Sequence, residues 1–507
     1  MLPILLSLAA LAAPDVRRMT VRELAGQMIL VPFYGENPVE QSKPYREYAR
    51  LVRGANVGGL VLLNRVRNGS VRYAEPLEVA LFLNRMQKLA RVPLVVAGDF
   101  ERGASMRVAR TAKFPHAMAY GAANNLELTR RTGEATAREA RAMGVHWLLA
   151  PVADVNSNPD NPAINIRSYG AKAGEVAQHV RAFLEGCRRG KALCTAKHFP
   201  GQGDASVDTH VESARAGRIE LLPFREAISA EVDAVMTGHL YVPEWESRNI
   251  PASVSHKIVS GLLRGQLAFQ GLAVTDAMDM AGLTKLYPAR EAAVRAVEAG
   301  NDLLIAPQNP DQAIAGIVAA VRGGRLKIER LRQSVARILA AKERVGLFEQ
   351  RLVEVARVRE EIGTDEHVEL AEAVAAKAIR VLKDDQKLLP LKAGACVAVM
   401  AEARNTNSGK GLIEALPARV KSVWLDPTLR EEELEATARH LDDCGTVVVA
   451  AWRMYGNFLE RLKPPVVLCG MGSPQLLRGA AAMVATFSST VTSEVALAKW
   501  LFGDLRK

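Results

Sequence analysis

The sequence predicts an α/β protein, with an N-terminal (β/α)8 barrel followed by a smaller α/β/α sandwich domain. The chain has 507 residues, which is more than a single hydrophobic core usually serves. Eight short apolar runs alternate with helical patterns between residues 27 and 307, and five more follow a charged helical stretch. The first eight runs are continuous rather than alternating, which is typical of strands buried on both faces of a parallel sheet.

The first eight apolar runs predict the strands of the barrel, and helical patterns fill the intervals between them. The segment 289–299, for example, ends at Gly300, a residue type that commonly terminates helices. Eight strand–helix units fit the ~250 residues of a (β/α)8 barrel. The runs span residues 27–33, 58–63, 93–99, 145–154, 192–200, 234–240, 272–278 and 302–307.

The five later runs alternate with helical segments and predict a doubly wound parallel sheet. No glycine-rich phosphate loop follows the first of them, so we expect no nucleotide site there. These runs span residues 396–400, 420–426, 446–452, 465–471 and 483–488. The expected organisation is a leader or signal peptide over 1–18, the barrel over 19–350, a linker helix over 351–380 and the sandwich over 381–507.

The composition indicates a soluble globular protein, since hydrophobic residues make up 49% and charged residues 24% of the chain. The net charge is +11, but Lys and Arg are dispersed, which argues against a nucleic-acid partner and favours a surface suited to anionic substrates. The five cysteines are scattered without metal-ligand spacing, so we expect neither a disulfide framework nor a zinc site. Cys194 and Cys469 lie in apolar runs and are expected to be small buried side chains.

The N-terminus is apolar for about a dozen residues and then reaches Ala12, Ala13 and Pro14. This run is too short to span a membrane, and we expect no stable membrane insertion. It resembles the apolar region of a signal peptide, although no Lys or Arg precedes it. We therefore expect an exported or periplasmic protein, with a cytoplasmic location as the alternative.

Polar residues cluster at the carboxyl ends of the predicted barrel strands. In a parallel barrel these ends share one face, which carries the active site. Asp302 begins the last run and is expected to have a structural role, whereas Asp154 and His239 remain open between a site role and a structural one. The residues at the strand ends are Asp99, Asp154, Lys197, His198, His239 and Asp276.

The segment from residue 197 to 210, KHFPGQGDASVDTH, is the densest in ionisable groups and directly follows an apolar run. Such groups are costly to bury without partners, and clusters of them are candidates for functional sites. Its end is the most informative part, because the carboxylate of Asp208 beside the imidazole of His210 can orient and tune a proton-transfer group. Gly201 and Gly203 suggest a loop able to close over a ligand.

These motifs resemble the β-N-acetylglucosaminidase branch of the family-3 glycoside hydrolases, enzymes that trim N-acetylglucosamine from cell-wall muropeptides. The resemblance covers the barrel almost end to end and continues into the second domain. It rests on KHFPGQGDASVDTH (197–210), NPDNPAINIRSYG (158–170), GDFERG (98–103), VMTGHL (235–240), LAVTDAMDM (272–280), AIRVLKDDQKLLPL (378–391) and FSSTVTSEVALAKWLFGD (487–504).

The resemblance implies a retaining double displacement on a β-glycoside. Asp276 matches the position of the family's nucleophile. A carboxylate is needed there, because the intermediate is a covalent glycosyl ester. Asp279, three residues on, is the local competitor but is expected to fall beyond the strand end. His210 matches the acid/base residue of this branch, and Asp208 matches the carboxylate that orients its ring. An unperturbed imidazole titrates near pH ~6.5, so the ring can donate a proton to the leaving oxygen and then accept one from water.

The resemblance also implies the residues that bind the sugar. Hydroxyl-rich ligands need forked donors and acceptors on rigid strand ends, and these residue types supply them. Arg102 stands where the family has a glycine, which suggests an extra cation in the subsite. No metal or organic cofactor is expected. The matching sugar-binding residues are Asp99, Arg107, Arg167, Lys197 and His198.

The predicted function is release of N-acetylglucosamine from muropeptides or chitooligosaccharides. Enzymatic alternatives are a family-3 β-glucosidase or β-xylosidase, which lacks the Asp-x-His loop, and an N-acetylglucosaminide phosphorylase, since an imidazole does not repel phosphate as a carboxylate would. An inactive peptidoglycan-binding protein is the alternative of another class, and the presence of both Asp276 and His210 argues against it.

Overall fold

Eight parallel strands, in the part of the chain that the structure describes, form the framework of the first unit. The structure is a computed structural model and describes residues 12–67, 70–209, 211–212, 214–402, 407–452 and 454–503. It divides into two packed units. The first unit contains the described residues up to Ala112, together with Thr129–Ile164 and Ala171–Thr364. The second unit contains Lys113–Leu128, Asn165–Gly170 and the described residues from Asp365 onward.

The barrel strands follow one another around the sheet in the order β7-β6-β5-β4-β3-β2-β1-β8, and neighbouring strands are paired in parallel. A parallel bridge between Val274 and Leu303 joins the two ends of this order, so the sheet closes into a barrel. The predicted (β/α)8 barrel is confirmed. The strands are β1 Ile29–Phe33, β2 Gly59–Leu62, β3 Val95–Gly98, β4 Trp147–Leu148, β5 Leu193–Phe199, β6 Ala234–Thr237, β7 Leu272–Thr275 and β8 Leu304–Ile305.

Helices between the strands bury their apolar faces against the barrel, as in Pro76–Leu89, whose buried residues include Val79, Phe82 and Leu83. None of the helices within the described ranges is long and apolar enough to cross a membrane. The helices of this unit are Val21–Gln27, Lys43–Ala49, Arg50–Gly54, Pro76–Leu89, Ala104–Met106, Leu126–Ala142, Ala173–Arg189, Leu222–Ser229, Ala252–Val254, Lys257–Gln266, Ala281–Thr284, Ala289–Ala299, Pro310–Arg322, Ile328–Arg344, Val355–Arg357 and Val358–Glu361.

The second unit is an α/β domain with a mixed sheet, in the strand order β9-β14-β13-β12-β10-β11. Apolar side chains pack on both faces of the sheet, in two separate clusters. The strands are β9 Arg380–Asp384, β10 Ala395–Met400, β11 Ser422–Leu425, β12 Thr446–Ala451, β13 Val466–Gly470 and β14 Ala482–Ala485. The helices are Ala117–Ala123, Asn165–Arg167, Asp365–Ala378, Lys410–Ala415, Glu431–His440, Phe458–Arg461, Pro474–Leu476 and Val491–Phe502.

The expectation of an all-parallel sheet was wrong at one edge of the second unit. The strand β9 pairs antiparallel with β14, whereas the other neighbours pair in parallel. Val381 and Leu382 of β9 are exposed, so the strand lacks the continuous buried run that identified the other strands. An edge strand of this kind gives only a weak signal in the sequence.

The expectation about the cysteines was also wrong, because the described chain contains disulfides Cys187–Cys194 and Cys396–Cys444. Cys194 is therefore not a free apolar side chain, whereas Cys469 is free and buried as expected. Cys396 and Cys444 are 48 residues apart in sequence, but the pairing of β10 with β12 brings their Cα atoms to 5.9 Å. Scattered spacing cannot reveal this proximity, since it depends on strand pairing.

Protein folded under oxidising conditions should expose one reactive thiol, that of Cys469, after denaturation without reductant, and five after reduction. Replacing Cys396 and Cys444 together by Ser should lower the free energy of unfolding by about 4 kcal/mol, because their disulfide closes a long loop of the unfolded chain. Cys469→Ala is the matched control and should leave both disulfides intact. Five reactive thiols before reduction would contradict the disulfides.

Candidate active site

The Lys197 ammonium group lies at the centre of the strand-end cluster. Its side chain is only 2% exposed, on β5, the longest barrel strand. Nζ donates to Asp99 Oδ1 at 2.9 Å and lies 2.7 Å from Glu101 Oε1. A buried ammonium is stable only when such partners compensate for its lost hydration. Sequence reasoning did not select Glu101, although a second carboxylate two residues after Asp99 was a usable signal.

Asp99 directly follows β3 and is shared between cations. Its Oδ1 atom accepts from Lys197, and its Oδ2 atom accepts from Arg107 Nη2 at 3.0 Å. Burial raises the pKa of Asp99, but the charges of Lys197 and Arg107 outweigh burial and lower this pKa from 3.8 to about 2. The carboxylate is therefore ionised over the whole physiological range and can accept hydrogen bonds from sugar hydroxyls.

Arg107 also fixes the loop in which it lies. Its Nη1 atom is 3.3 Å from Asn64 Oδ1, and its carbonyl accepts from Asn64 Nδ2 at 2.9 Å and from the Ala74 amide at 2.9 Å. Asn64 and Ala74 belong to the loop after β2, whereas Arg107 belongs to the loop after β3. The two loops are therefore joined at the carboxyl face of the barrel, with the Arg107 side chain turned toward Asp99.

His198 is oriented by Asp154, which is fully buried. Asp154 Oδ2 lies 2.7 Å from His198 Nδ1 and accepts from the His198 amide at 3.1 Å, while Oδ1 accepts from the Gln202 amide at 2.6 Å. A carboxylate can only accept, so a neutral His198 ring carries its proton on Nδ1 and its lone pair on Nε2. Asp154 therefore orients the His198 ring and the turn that follows it, and its role in a site stays a prediction.

The turn that follows β5 is packed tightly rather than loosely. A Cβ atom added at Gly203 would lie 1.6 Å from the Val155 carbonyl oxygen, so only glycine allows this approach. The Gln202 side chain is buried, and its Nε2 atom donates to Thr209 Oγ1 at 3.0 Å. Gly203 therefore serves close packing against Val155, and closure of the loop over a ligand stays a prediction.

Asp276 directly follows β7 and is half-buried. Its Oδ1 atom accepts from the Ala277 amide at 2.8 Å, and its own amide donates to the Thr237 carbonyl at 3.0 Å. The first bond orients the carboxylate, and the second aligns the end of β7 with the end of β6. Asp279 is exposed and lies past the strand, as its position in the sequence suggested.

The segment around Asp208 is fastened to the helix that follows Asp276. The Gly282 amide donates to the Thr209 carbonyl at 3.2 Å, and Lys285 Nζ donates to the Val211 carbonyl at 2.9 Å. Asp208 is half-buried, and its carbonyl accepts from the Val211 amide at 3.0 Å. His210 lies outside the described residues, so its role stays a prediction.

Two further polar residues, His239 and Asp302, are held by contacts inside the protein. His239 is fully buried, and its ring nitrogens lie 2.7 Å from Ser253 Oγ and 3.0 Å from the Ala277 carbonyl oxygen. His239 therefore supports the turn after Asp276 from within the protein. Asp302 is also fully buried, and its carboxylate accepts from Arg264 and from Ser334 Oγ, the latter at 2.6 Å, on the amino-terminal side of β8.

Arg167 lies on the short helix Asn165–Arg167, within the segment that packs with the second unit, and is half-buried. Its expected sugar contact stays a prediction. The described strand ends bring together Asp99, Arg107 and Lys197 in one network, and His198 with Asp154 in another. Neighbouring strand ends of a closed parallel barrel place these networks on one face.

Residues 20–341 match the family described as the glycosyl hydrolase family 3 N-terminal domain. The chain belongs to glycosyl hydrolase family 3. This match spans more than half of the 507 residues and contains all eight barrel strands of the described chain. The family-3 assignment agrees with the resemblance found in the strand-end motifs.

Individual relatives of this family-3 chain are similar over most of its length. A β-N-acetylglucosaminidase/β-glucosidase of Cellulomonas fimi is 31% identical over 385 residues, which cover 73% of this chain and 65% of that protein. β-Hexosaminidase A of Pseudoalteromonas piscicida is 29% identical over 69% of this chain and 63% of that protein. The chain thus spans somewhat less than two thirds of both relatives.

A solved structure is similar over almost the whole chain. A glycoside hydrolase family 3 β-N-acetylglucosaminidase from Paenibacillus sp. str. FPU-7 superposes with a TM-score of 0.84 and 29% sequence identity. The match covers 96% of this chain and 97% of that chain. The similarity therefore includes the second domain as well as the family-3 barrel.

Replacing Lys197 by Met should destabilise the folded protein by about 3 kcal/mol, because it leaves Asp99 and Glu101 without their shared cation. In the wild-type protein the lowered pKa of Asp99 contributes stability that is complete above pH 3.8 and is lost as the pH falls toward about 2. In Lys197→Met this pKa should rise, because burial and the Glu101 charge remain.

Urea unfolding between pH 2 and pH 7 measures this effect, and Lys197→Met should lose less stability than the wild-type protein as the pH falls below 3.8, because its folded-state pKa is closer to, or above, that of the unfolded chain. The matched control is Lys463→Met, since Lys463 is an exposed lysine that is paired with Asp442 on the surface. An unchanged pH dependence in Lys197→Met would show that the ammonium does not control Asp99.

Proposed function

We propose that this protein is a retaining exo-β-N-acetylglucosaminidase that releases N-acetylglucosamine from β-linked cell-wall fragments such as muropeptides, or from chitooligosaccharides. The observation that carries the proposal is the attachment of the Asp208 loop to the helix that follows Asp276, through Gly282 and Thr209. A double displacement needs a nucleophile and a proton donor on opposite sides of one glycosidic bond, and this attachment keeps the two segments together. The 29% identity to the β-N-acetylglucosaminidase from Paenibacillus sp. str. FPU-7, over 96% of this chain, supports N-acetylglucosamine as the sugar.

In the first step, the Asp276 carboxylate attacks the anomeric carbon. The glycosidic C–O bond breaks while the imidazolium of His210 gives its proton to the departing oxygen, and a glycosyl ester of Asp276 forms. The Ala277 amide, 2.8 Å from Asp276 Oδ1, directs the carboxylate during this attack. Asp208 supports the positive charge on the imidazole before the proton leaves.

In the second step, neutral His210 removes a proton from water, and the resulting hydroxide oxygen bonds to the anomeric carbon. The bond from the sugar to Asp276 breaks, which restores the carboxylate and releases the sugar with its original configuration. Asp99, Arg107, Lys197 and His198 would bind the hydroxyls of the non-reducing sugar throughout. Their fixed geometry lowers the entropic cost of aligning the substrate.

A β-glucosidase activity is the second candidate, because the Cellulomonas fimi relative carries both activities in its name. Turnover of aryl β-N-acetylglucosaminide and of aryl β-glucoside, with and without inorganic phosphate, separates the candidates. Preference for the N-acetyl sugar is the expected result. Activity on the glucoside alone would overturn the substrate assignment, a sugar 1-phosphate product would indicate a phosphorylase, and binding without turnover would indicate the wall-binding alternative.

We also infer that the protein works in an oxidising compartment outside the cytoplasm. The disulfides Cys187–Cys194 and Cys396–Cys444 support this, since disulfides persist where thiols are not kept reduced. The signal-peptide-like residues 1–11 lie outside the described chain. Fractionation of cells followed by thiol labelling tests the location, and reduced protein confined to the cytoplasm would overturn it.

Asp276→Asn should lower kcat by about 10⁴-fold, because an amide cannot form the glycosyl ester. Asp279→Asn is the matched control: it removes the same charge from an exposed position three residues away and should keep most of the activity. A 5-fluoro glycosyl fluoride of N-acetylglucosamine should label the peptide that contains Asp276, as measured by mass spectrometry. Normal turnover by Asp276→Asn, or labelling of another carboxylate, would overturn the mechanism.

A further inference from the structure

A cavity of about 940 Å³ lies at the amino-terminal end of the barrel, opposite the candidate active site. His146, Leu193 and Asp233 line it, and they stand at or directly before the first residues of β4, β5 and β6. These strands are neighbours in the sheet, and residues that follow the helix Ile328–Arg344 line the other side. The whole lining belongs to the first unit. A cavity of this volume is large enough for a small molecule.

His146 presents a hydrogen-bond donor to this cavity. The residue is only 4% exposed, and its Nδ1 atom accepts from the Val96 amide at 3.3 Å. A ring nitrogen that accepts a hydrogen bond carries no proton, so the proton of the neutral ring is on Nε2. Nε2 has no hydrogen-bond partner among the described residues, and it is accessible from the cavity that the ring lines. The ring therefore offers an unused N–H group to a ligand.

Arg141 brings an uncompensated positive charge to the same cavity. Its Nη2 atom donates to the Val345 carbonyl at 3.0 Å, which fixes the guanidinium beside another residue of the lining. Its Nη1 atom is buried without a hydrogen-bond partner, and no carboxylate in the described part of the chain pairs with this arginine. Arg141 is half-buried, so water compensates its charge only in part. A bound anion would supply the missing partner.

The charges around His146 keep its ring neutral and favour a negative ligand. Burial lowers the pKa of His146 well below its usual value, and the charges of Arg141 and Lys342 lower this pKa further. Lys342 is itself fully buried, and its Nζ atom donates to Gln27 Oε1 at 2.8 Å. The two charges that act on the ring are thus both positive, which favours an anion over a cation beside Nε2.

The carboxylates of the cavity lining do not cancel this positive charge. Asp233 uses both of its oxygens, because it accepts from Arg344 Nη1 at 2.5 Å and from the Cys194 amide at 2.9 Å. Glu361 is paired with Arg357 at 2.8 Å. The other carboxylates of the lining are exposed, so solvent screens them and the unpaired charge farther inside is positive. They are Glu231, Glu349 and Glu354.

Two more cations border the cavity. Arg188 and Lys191 lie on the turn that the disulfide Cys187–Cys194 closes, and both are exposed. The Arg188 Nη2 atom donates to the Ala230 carbonyl at 2.5 Å, which holds this side chain at the edge of the cavity. Exposed cations of this kind attract an anion toward the opening, whereas tight contact depends on the buried groups.

We propose that this cavity binds an oxyanion, namely the phosphate or carboxylate group of a small molecule. His146 Nε2 donates a hydrogen bond to the oxyanion, and the Arg141 guanidinium balances its charge. Since the cavity lies at the end of the barrel opposite the sugar site, its ligand is a separate molecule from the glycoside that is cleaved. The assignment therefore does not depend on the proposed glycosidase activity.

Isothermal titration calorimetry of the whole protein tests the site, with inorganic phosphate and malonate as probes at constant ionic strength. Arg141→Gln should raise the dissociation constant about tenfold, because it removes a charge-assisted interaction. Arg141→Lys keeps the charge and should restore part of the affinity. Tighter binding of phosphate identifies a phosphate group as the natural ligand group, and tighter binding of malonate identifies a carboxylate.

The matched control is Arg138→Gln, which removes an arginine from the same helix, Leu126–Ala142, about one turn earlier. Arg138 is exposed and is paired with Glu134 at 2.5 Å, so its loss should leave the dissociation constant unchanged. Equal weakening in Arg138→Gln and Arg141→Gln would overturn the proposal. So would the absence of binding by both probes, or binding that Arg141→Gln does not weaken.

A pair of substitutions at His146 separates a binding role from a structural one. In His146→Asn the amide oxygen can still accept from the Val96 amide, but no N–H group reaches the position of Nε2. His146→Gln places an N–H group near that position. Binding should be weaker in His146→Asn than in His146→Gln, and the reverse order would overturn the role of Nε2. Thermal unfolding shows whether each variant is folded, and the half-buried Arg141 carries the test alone if the His146 variants are not.

Discussion

A single buried ammonium group, that of Lys197, holds the centre of the candidate site together. Asp99 and Glu101 are separated by one residue on the same loop, and their carboxylates would repel each other without a cation between them. The ammonium in turn could not be buried without both carboxylates. The ammonium and the two carboxylates therefore depend on one another. Arg107 completes the network by donating a hydrogen bond to the second carboxylate oxygen of Asp99.

The remaining parts of the site depend on joints between loops of different strands. The loops after β2 and β3 meet through Asn64, Ala74 and the Arg107 carbonyl. The segment after β5 meets the helix after β7 through Thr209 and Gly282. The barrel fixes only the positions at which its strands end. These hydrogen bonds between loops therefore supply the positional accuracy of the side chains that a reaction needs. A polar group that is far from the substrate can therefore affect turnover.

The two ends of the barrel use buried charge for different purposes. On the amino-terminal side, Asp302 is enclosed by Arg264 and by groups of the helix Ile328–Arg344. On the carboxyl side, Asp99 remains partly exposed, with 23% of its side chain accessible. Complete enclosure suits a stabilising role, whereas partial exposure leaves a charged group within reach of a ligand.

The barrel can be predicted from the sequence, as can most of the polar residues that lie at the ends of its strands. Continuous apolar runs are a local pattern, and the polar residues that end them are neighbours in the chain, so both can be found without knowing the fold. The tertiary structure alone decided which groups meet. Glu101 shares Lys197 with Asp99, Asp154 orients His198, and Cys396 pairs with Cys444, all through contacts between separate strands. The antiparallel edge strand β9 belongs to the same class, because its exposed residues give no buried run and its direction is set by its partner β14. Local patterns determine whether a segment forms a helix or a strand. Which side chains lie within bonding distance is determined only when the strands pair and the sheet closes.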